Sequence, residues 1–364
     1  MSDPARCNAN GKANYKANLR AVTCELPRTL HGNDAHVFRN LPDVSDRWWR
    51  FWGIDRRGFL DPASGDTELA AAMRAVDRLL ARTGTAAADI DLLVCSASSP
   101  ILTDGGGVAG GIARRLQPRL ARILAQRAGL MHALPLDIQV ECAGFLLGLA
   151  MGARYIQAGL ARKVLVVSSE CVSQMLDFTS RAATIFADGC GAVLLTRDDA
   201  PEGGDLLASV HYSNAEHYEI ATARWRRQEG AEANPAAPWD LYFTLQEEGQ
   251  AQMQAFVPTH LPAVVERALA QSGVTGRDIA HYVFHQPSPW LVEAWASRLD
   301  CGEGRYGFVA RETGVMVSSA VAHALCTALR EKRLGPGDKA VMAGVGTGWG
   351  FIGQVWQLGN TEVC

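Results

Sequence analysis

Leu136-Asp-Ile-Gln-Val-Glu-Cys142-Ala-Gly-Phe-Leu-Leu-Gly-Leu-Ala-Met-Gly-Ala-Arg-Tyr155 is the stretch on which the reading of this 364-residue chain turns. It opens as a short apolar strand, turns at Glu141-Cys142, and continues with small and apolar residues at helical spacing, which sets Cys142 at a helix N-terminus. Unpaired backbone N–H groups and the positive end of the helix dipole favour an anion there, so the reactive thiolate is expected to form at low cost. Gly144, Gly148 and the alanines around them predict a helix packed closely against its neighbours, as suits a buried reactive centre. A cysteine met at random in such a helix is more often a core residue. The rest of the chain reverses that reading.

Composition narrows the class. With 48% hydrophobic residues, 36 glycines and 20% charged residues, the chain reads as a compact α/β enzyme scaffold, long enough for two domains or one duplicated unit. A net charge of -3 offers no case for nucleic acid. No apolar run approaches a membrane span and Met1 to Asn18 is polar, so neither a signal peptide nor an anchor is expected, and a cytoplasmic location is. Nine cysteines without CxxC spacing then predict free thiols, with no disulfide frame and no metal site.

In chain order, residues 1–18 read as a polar tail and Leu19 to Leu26 as a first strand. The run Trp48-Trp49-Arg50-Phe51-Trp52 holds three tryptophans in five positions; they cannot all face one small core, so at least one is expected to line a groove or an interface. Glu68 to Arg82 has a 3.6-residue period and predicts an amphipathic helix, followed by a buried strand at Asp89 to Cys95. Asp104-Gly-Gly-Gly107 and Val108 to Leu130 read as a loop and a helical excursion, without the spacing of a phosphate loop. Lys163 to Ser169 is a strand flanked by helix or loop, the pattern of a parallel sheet. Phe186 to Leu195 is another strand, and residues 198–206 are the best linker.

The second half echoes the first. Val264 to Gly273 followed by Asp278 to Pro289 repeats the pattern of Ala75 to Gly84 followed by Asp89 to Pro100, and Lys339-Ala-Val-Met-Ala-Gly repeats Lys163-Val-Leu-Val-Val-Ser. Duplication of an α/β unit predicts two similar halves, 19–200 and 201–364, with ligands where the carboxyl ends of their strands face each other. Cys142 after a strand of one half and His285 at a strand end of the other then converge as an activated-nucleophile pair, the imidazole accepting or sharing the thiol proton and later polarising the thioester carbonyl. The loop Gly344-Val-Gly346-Thr347-Gly348 can bring a backbone N–H to a developing oxyanion, paired with the amide of Cys142.

Cys142-Ala-Gly-Phe145, Phe186-Ala-Asp-Gly189, His285-Gln286 and the terminal glycine loop resemble the type III ketosynthases of the thiolase superfamily, over nearly the whole chain. Longer blocks (Cys24 to Pro27, Trp48 to Gly58, Cys95 to Pro100, Leu176 to Arg181, Ala343 to Cys364) are similar to the C subunits of bacterial 2-alkyl-4-quinolone synthases. The resemblance implies a thiolase fold of two duplicated halves in five αβαβα layers. It implies no permanently bound cofactor, acylation of Cys142 by a fatty acyl-coenzyme A, and condensation with 2-aminobenzoylacetate to an alkyl- or alkenylquinolone. It also implies a homologous B-type thiolase-fold mate, as a heterodimer or heterotetramer. Subunits of the superfamily pair through strands after the nucleophile helix, which would assign the interface to Lys163 to Ser169.

Two departures from the wider family bear on mechanism. Its usual Gly-Asn, whose Asn completes a Cys-His-Asn triad, is replaced by Gly314-Val315, and valine has no hydrogen bond to give. Loss of one such donor typically costs about 2–4 kcal/mol of transition-state stabilisation, so a malonyl thioester should be a poor acceptor and a β-keto acid a better one. The usual Trp-to-Arg spacing at the coenzyme A mouth is also altered, leaving Trp48, Trp49 and Arg57 as its candidates. The competing readings are a malonyl-using 3-oxoacyl-ACP synthase III and a non-catalytic thiolase-fold subunit.

Overall fold

The computed structural model describes residues 15–104, 113–198, 203–227, 239–245, 247–348 and 350–364. The first half runs through β1 (Lys16–Glu25), β2 (Thr29–Gly32), α1 (Asp46–Trp52), β3 (Arg56–Phe59), α2 (Glu68–Thr83), β4 (Leu92–Ser96), β5 (Leu102–Asp104) and β6 (Ala113–Arg115). It continues with α3 (Leu120–Arg127), β7 (Leu134–Ile138), α4 (Gly144–Gln157), β8 (Lys163–Glu170) and β9 (Gly189–Asp198). The second half holds β10 (Asp205–Ser213), β11 (Ala221–Arg227), β12 (Trp239–Leu245), α5 (Glu247–Ser272), β13 (Ile279–Phe284), α6 (Pro289–Arg298), α7 (Ser319–Arg330), β14 (Lys339–Gly346), β15 (Gly350–Gln357) and β16 (Glu362–Val363).

Two mixed sheets carry the duplication. The first has the order β16-β1-β9-β8-β4-β7 and the second β10-β15-β14-β13. Their cores superpose in topology: β4 and β8 are parallel, β8 and β9 antiparallel, β9 and β1 antiparallel, as are β13 and β14, β14 and β15, β15 and β10 in turn. The parallel pattern expected for Lys163 to Ser169 holds on its β4 side, and the sheets are mixed because β9 and β15 return antiparallel beside the central strands.

Alternation along those central strands builds the layers. In β8, Val164 and Val166 enter the core between the sheets while Leu165 and Val167 face the outer core; in β14, Ala340 and Met342 face inward and Val341 and Ala343 outward. The inner core takes its helical residues from α4 and α7, the outer cores from α2 and α3 on one side and α5 and α6 on the other. Five layers result, αβαβα. Helix α2 shows the local logic: Thr67 caps its start by accepting from Ala70 N, Gly84 ends it in the left-handed region, and Leu69, Ala72, Val76 and Leu79 form its buried stripe.

Other boundaries shift. The polar tail ends earlier, since β1 begins at Lys16; residues 1–14 lie outside the described residues, as do Gly105-Gly-Gly107 and residues 199–202 of the expected linker. The helical excursion reduces to α3, preceded by the β5–β6 pair. Strand β8 cannot be an interface edge, because it is hydrogen-bonded on both sides by β4 and β9. One edge of the first sheet is the two-residue β16 and the other is β7, which among the described residues pairs only with β4 and carries half-exposed Leu134.

Candidate active site

Cys142 lies in the short turn Glu141–Ala143 between β7 and α4. Glu141 enters that turn at φ +39°, a conformation that costs a non-glycine residue roughly 1–2 kcal/mol. Val317 (φ +45°) does the same before α7, the counterpart of α4 in the second half. The nucleophile turn is thus one of two matching elbows. Helix α4 lies close to the sheet because Gly148 has no side chain: a Cβ there would meet Val166 Cγ1 at 2.7 Å.

His285 follows β13, its backbone N–H donating to Ala343 O at 2.7 Å. Cys142 and His285 line one cavity of about 50 Å³, with Trp52, Ile185, Phe186, Val315, Gly346 and Thr347 among its walls. Gly346 brings the glycine loop against the nucleophile turn, for a Cβ there would come within 2.7 Å of Val140 O and 3.4 Å of Ala143 N. Gly348, at φ +81°, makes the tight turn between β14 and β15.

Electrostatics corrects the expectation of a cheap thiolate. Cys142 is 7% exposed, and burial first, then Glu170 and Glu141, push its thiol well above the usual range; its own backbone N–H pulls the other way. Desolvation works against the anion that the helix N-terminus favours. Burial also holds His285 down at about 4, so its imidazole is neutral near neutral pH and free to take a proton. The resting pair is thiol and imidazole.

Residues 136–215 match the family 3-oxoacyl-[acyl-carrier-protein] synthase III, and residues 269–358 match its C-terminal unit. The 2-heptyl-4(1H)-quinolone synthase subunit PqsC of Pseudomonas aeruginosa is 50% identical over 352 residues, which cover 96% of this chain and 100% of that protein. The chain belongs to the PqsC family. Among solved structures, the 3-oxoacyl-(acyl carrier protein) synthase III of Pseudomonas aeruginosa aligns with a TM-score of 0.76 at 28% identity, covering 95% of this chain and 99% of that one. The priming β-ketosynthase of the R1128 polyketide pathway aligns with a TM-score of 0.79 at 24% identity, covering 99% of each, and shares the fold. This PqsC-family chain is a condensing acyltransferase of the ketosynthase III type.

The three mouth candidates separate. Trp48 lines a second, polar cavity of about 350 Å³ with Ser45, Arg47, Phe51, Arg181 and Gln254; its indole N–H donates to Thr184 Oγ1 at 3.0 Å and the Arg181 guanidinium lies 4.6 Å from its ring. Trp49 lines neither cavity and stands 6.0 Å from the Arg57 guanidinium. Arg57 is fully buried, donating to Asn33 Oδ1 at 2.7 Å and to the His31 and Ile54 carbonyls, so its assignment to the mouth is corrected. Of two adjacent arginines, strand alternation turns Arg57 inward and Arg56 outward.

Sequence reasoning missed Trp52, the tryptophan that does reach the catalytic cavity, although the aromatic run was its signal. It also missed Glu170, wholly buried and pushed up to about 7 by burial, which accepts from Ser98 N at 2.9 Å and from the Ser318 hydroxyl at the second elbow. Nothing in its strand context marks it. Among the described residues no His, Cys, Asp and Glu cluster could hold a metal, no helix is long and apolar enough to cross a membrane, and eight cysteines are free.

Proposed function

We propose that this chain transfers a fatty acyl group from acyl-coenzyme A to Cys142 and condenses it with 2-aminobenzoylacetate to give a 2-alkyl-4-quinolone. The observation that carries the reading is 50% identity to PqsC along essentially both whole chains, joined to a cavity that holds Cys142 and His285. In the first half-reaction the Cys142 sulfur bonds to the thioester carbonyl, His285 takes the thiol proton, and that proton passes to the departing coenzyme A thiolate. Arg47, Trp48 and Arg181 suit the anionic, aromatic nucleotide end of the donor. The approach of Gly346 to the nucleophile turn, and its place with Thr347 in the cavity wall, support the backbone N–H groups of Gly346, Thr347 and Gly348 as oxyanion donors together with the Cys142 amide.

In the second half-reaction the acceptor loses carbon dioxide, and the electron pair of the broken bond becomes an enolate whose carbon attacks the acyl carbonyl. The Cys142 thiolate leaves and recovers a proton from solvent through His285. The aniline nitrogen then closes on the new ketone with loss of water. Val315 supports the choice of a β-keto acid, because this wall has no amide to hold a malonyl enolate. We place the reaction in the cytoplasm and in an assembly with a homologous B-type subunit, as the name "subunit" is used of PqsC.

Mass spectrometry after octanoyl-coenzyme A treatment, followed by malonyl-coenzyme A or 2-aminobenzoylacetate, tests this with the chain and its co-expressed mate. The expected result is an octanoyl adduct on Cys142, absent from C142A, that 2-aminobenzoylacetate discharges and malonyl-coenzyme A does not. H285A should keep some adduct and lose discharge. An active C142A variant, or discharge by malonyl-coenzyme A alone, would overturn the proposal.

A further inference from the structure

Trp52 ends α1 with 3% of its surface exposed, and its indole N–H has no hydrogen-bond partner. The rest of the helix is well satisfied: Ser45 caps its start, Gly53 closes its end, and the Trp48 N–H one turn earlier reaches Thr184. Trp52 is therefore not an unpaired donor in a loose region. A buried donor without an acceptor is destabilising, so its retention points to an acceptor that arrives from outside.

The surroundings of that N–H supply none. Trp52 packs in one apolar cluster with Val315, whose backbone N–H donates to Ile185 O and whose carbonyl accepts from Ala187 N, each at 3.0 Å. Ile185 and Phe186 add no polar side-chain atom. Of the residues that line the catalytic cavity, only Trp52 and His285 carry a side-chain N–H, with Thr347 adding a hydroxyl, and the acylation step above already assigns His285 to the sulfur.

We propose that the Trp52 indole N–H is the hydrogen-bond donor to the ketone oxygen of the acceptor, the oxygen that becomes the enolate as carbon dioxide leaves. It takes the part that an amide at position 315 would otherwise play, from the opposite partner of the Trp52–Val315 contact. The indole ring also gives an aryl β-keto acid a flat apolar face in the cavity wall. This rests on the condensation reading above. No bond to Trp52 forms or breaks: the electron pair released by decarboxylation stays on the acceptor and then forms the new carbon–carbon bond.

The experiment compares two rates on the assembled enzyme: formation of the octanoyl-Cys142 adduct, and its discharge by 2-aminobenzoylacetate. W52F keeps an aromatic ring and removes the N–H; adduct formation should stay within about twofold of wild type while discharge slows about tenfold or more. If W52F fails to acylate, the same rates are read with 3-benzothienylalanine at position 52, which exchanges the N–H for sulfur in the same shape. Discharge at the wild-type rate in the variant that acylates overturns the inference, as does equal slowing of both steps. Should wild-type enzyme ignore 2-aminobenzoylacetate, the function proposal fails. The Trp52 role, which rests on that reading, then falls with it, whereas a failure in the variant alone leaves the function proposal standing.

Discussion

Burial acts in opposite senses on Cys142 and His285, keeping the proton on sulfur and off nitrogen, so proton transfer has to accompany nucleophilic attack. Their meeting was legible because each stands at a strand end in a repeated frame. Which side chains complete the wall was not. Trp48, Trp49 and Trp52 are alike in sequence; the rotation of α1 sets Trp49 apart, and position along its axis puts Trp52 in the catalytic cavity and Trp48, one turn earlier on the same face, in the polar one. Val315, read from sequence as the place of a missing Asn, does line the cavity with Cys142 and His285. V315N should therefore gain turnover with malonyl thioesters and lose about 1–3 kcal/mol of stability if its amide finds no partner. Turnover assays beside thermal melts check this; a folded V315N without malonyl activity would show that another group sets acceptor choice.

At the scale of elements, strand identity was easier to read than strand order. Helix α4 leads straight into β8, and nothing in Lys163 to Glu170 says that β9 returns to cover its far side; that is decided by the antiparallel ladder from Lys163–Thr196 to Glu170–Gly189. The exposed edge falls instead to β7, the strand before the nucleophile. Edge strands with apolar side chains invite pairing, and here Leu134, Met131 and Leu116 are all exposed large hydrophobics. A homologous mate is expected on that edge, and L134K should leave the chain folded but unable to hold it. Light scattering of co-expressed subunits reads the outcome directly; an intact L134K assembly would move the interface elsewhere.

The whole molecule buries titratable groups of both kinds, which bounds its stability in pH. His281 and His285 are lowered to about 4, so what they contribute is present above 6.5 and is lost as pH falls through 4. Glu68 and Glu170, raised to about 8 and 7, act in reverse: their contribution is present below 4.5 and is lost as pH rises through those values. Because the two trends oppose, the test is a difference. Between pH 6.5 and 4, H281F should lose melting temperature more slowly than wild type; parallel curves would remove His281 from the balance. The duplicated halves were readable from their echoing segments, whereas these buried charges were not, since burial of a lone Glu or His belongs to the assembled layers. The narrow cavity where those layers meet has one further consequence. Lined mostly by apolar side chains and offering few groups to orient a water, it shields the acyl thioester from hydrolysis, so the loaded enzyme should persist between substrates and turn over by ping-pong kinetics.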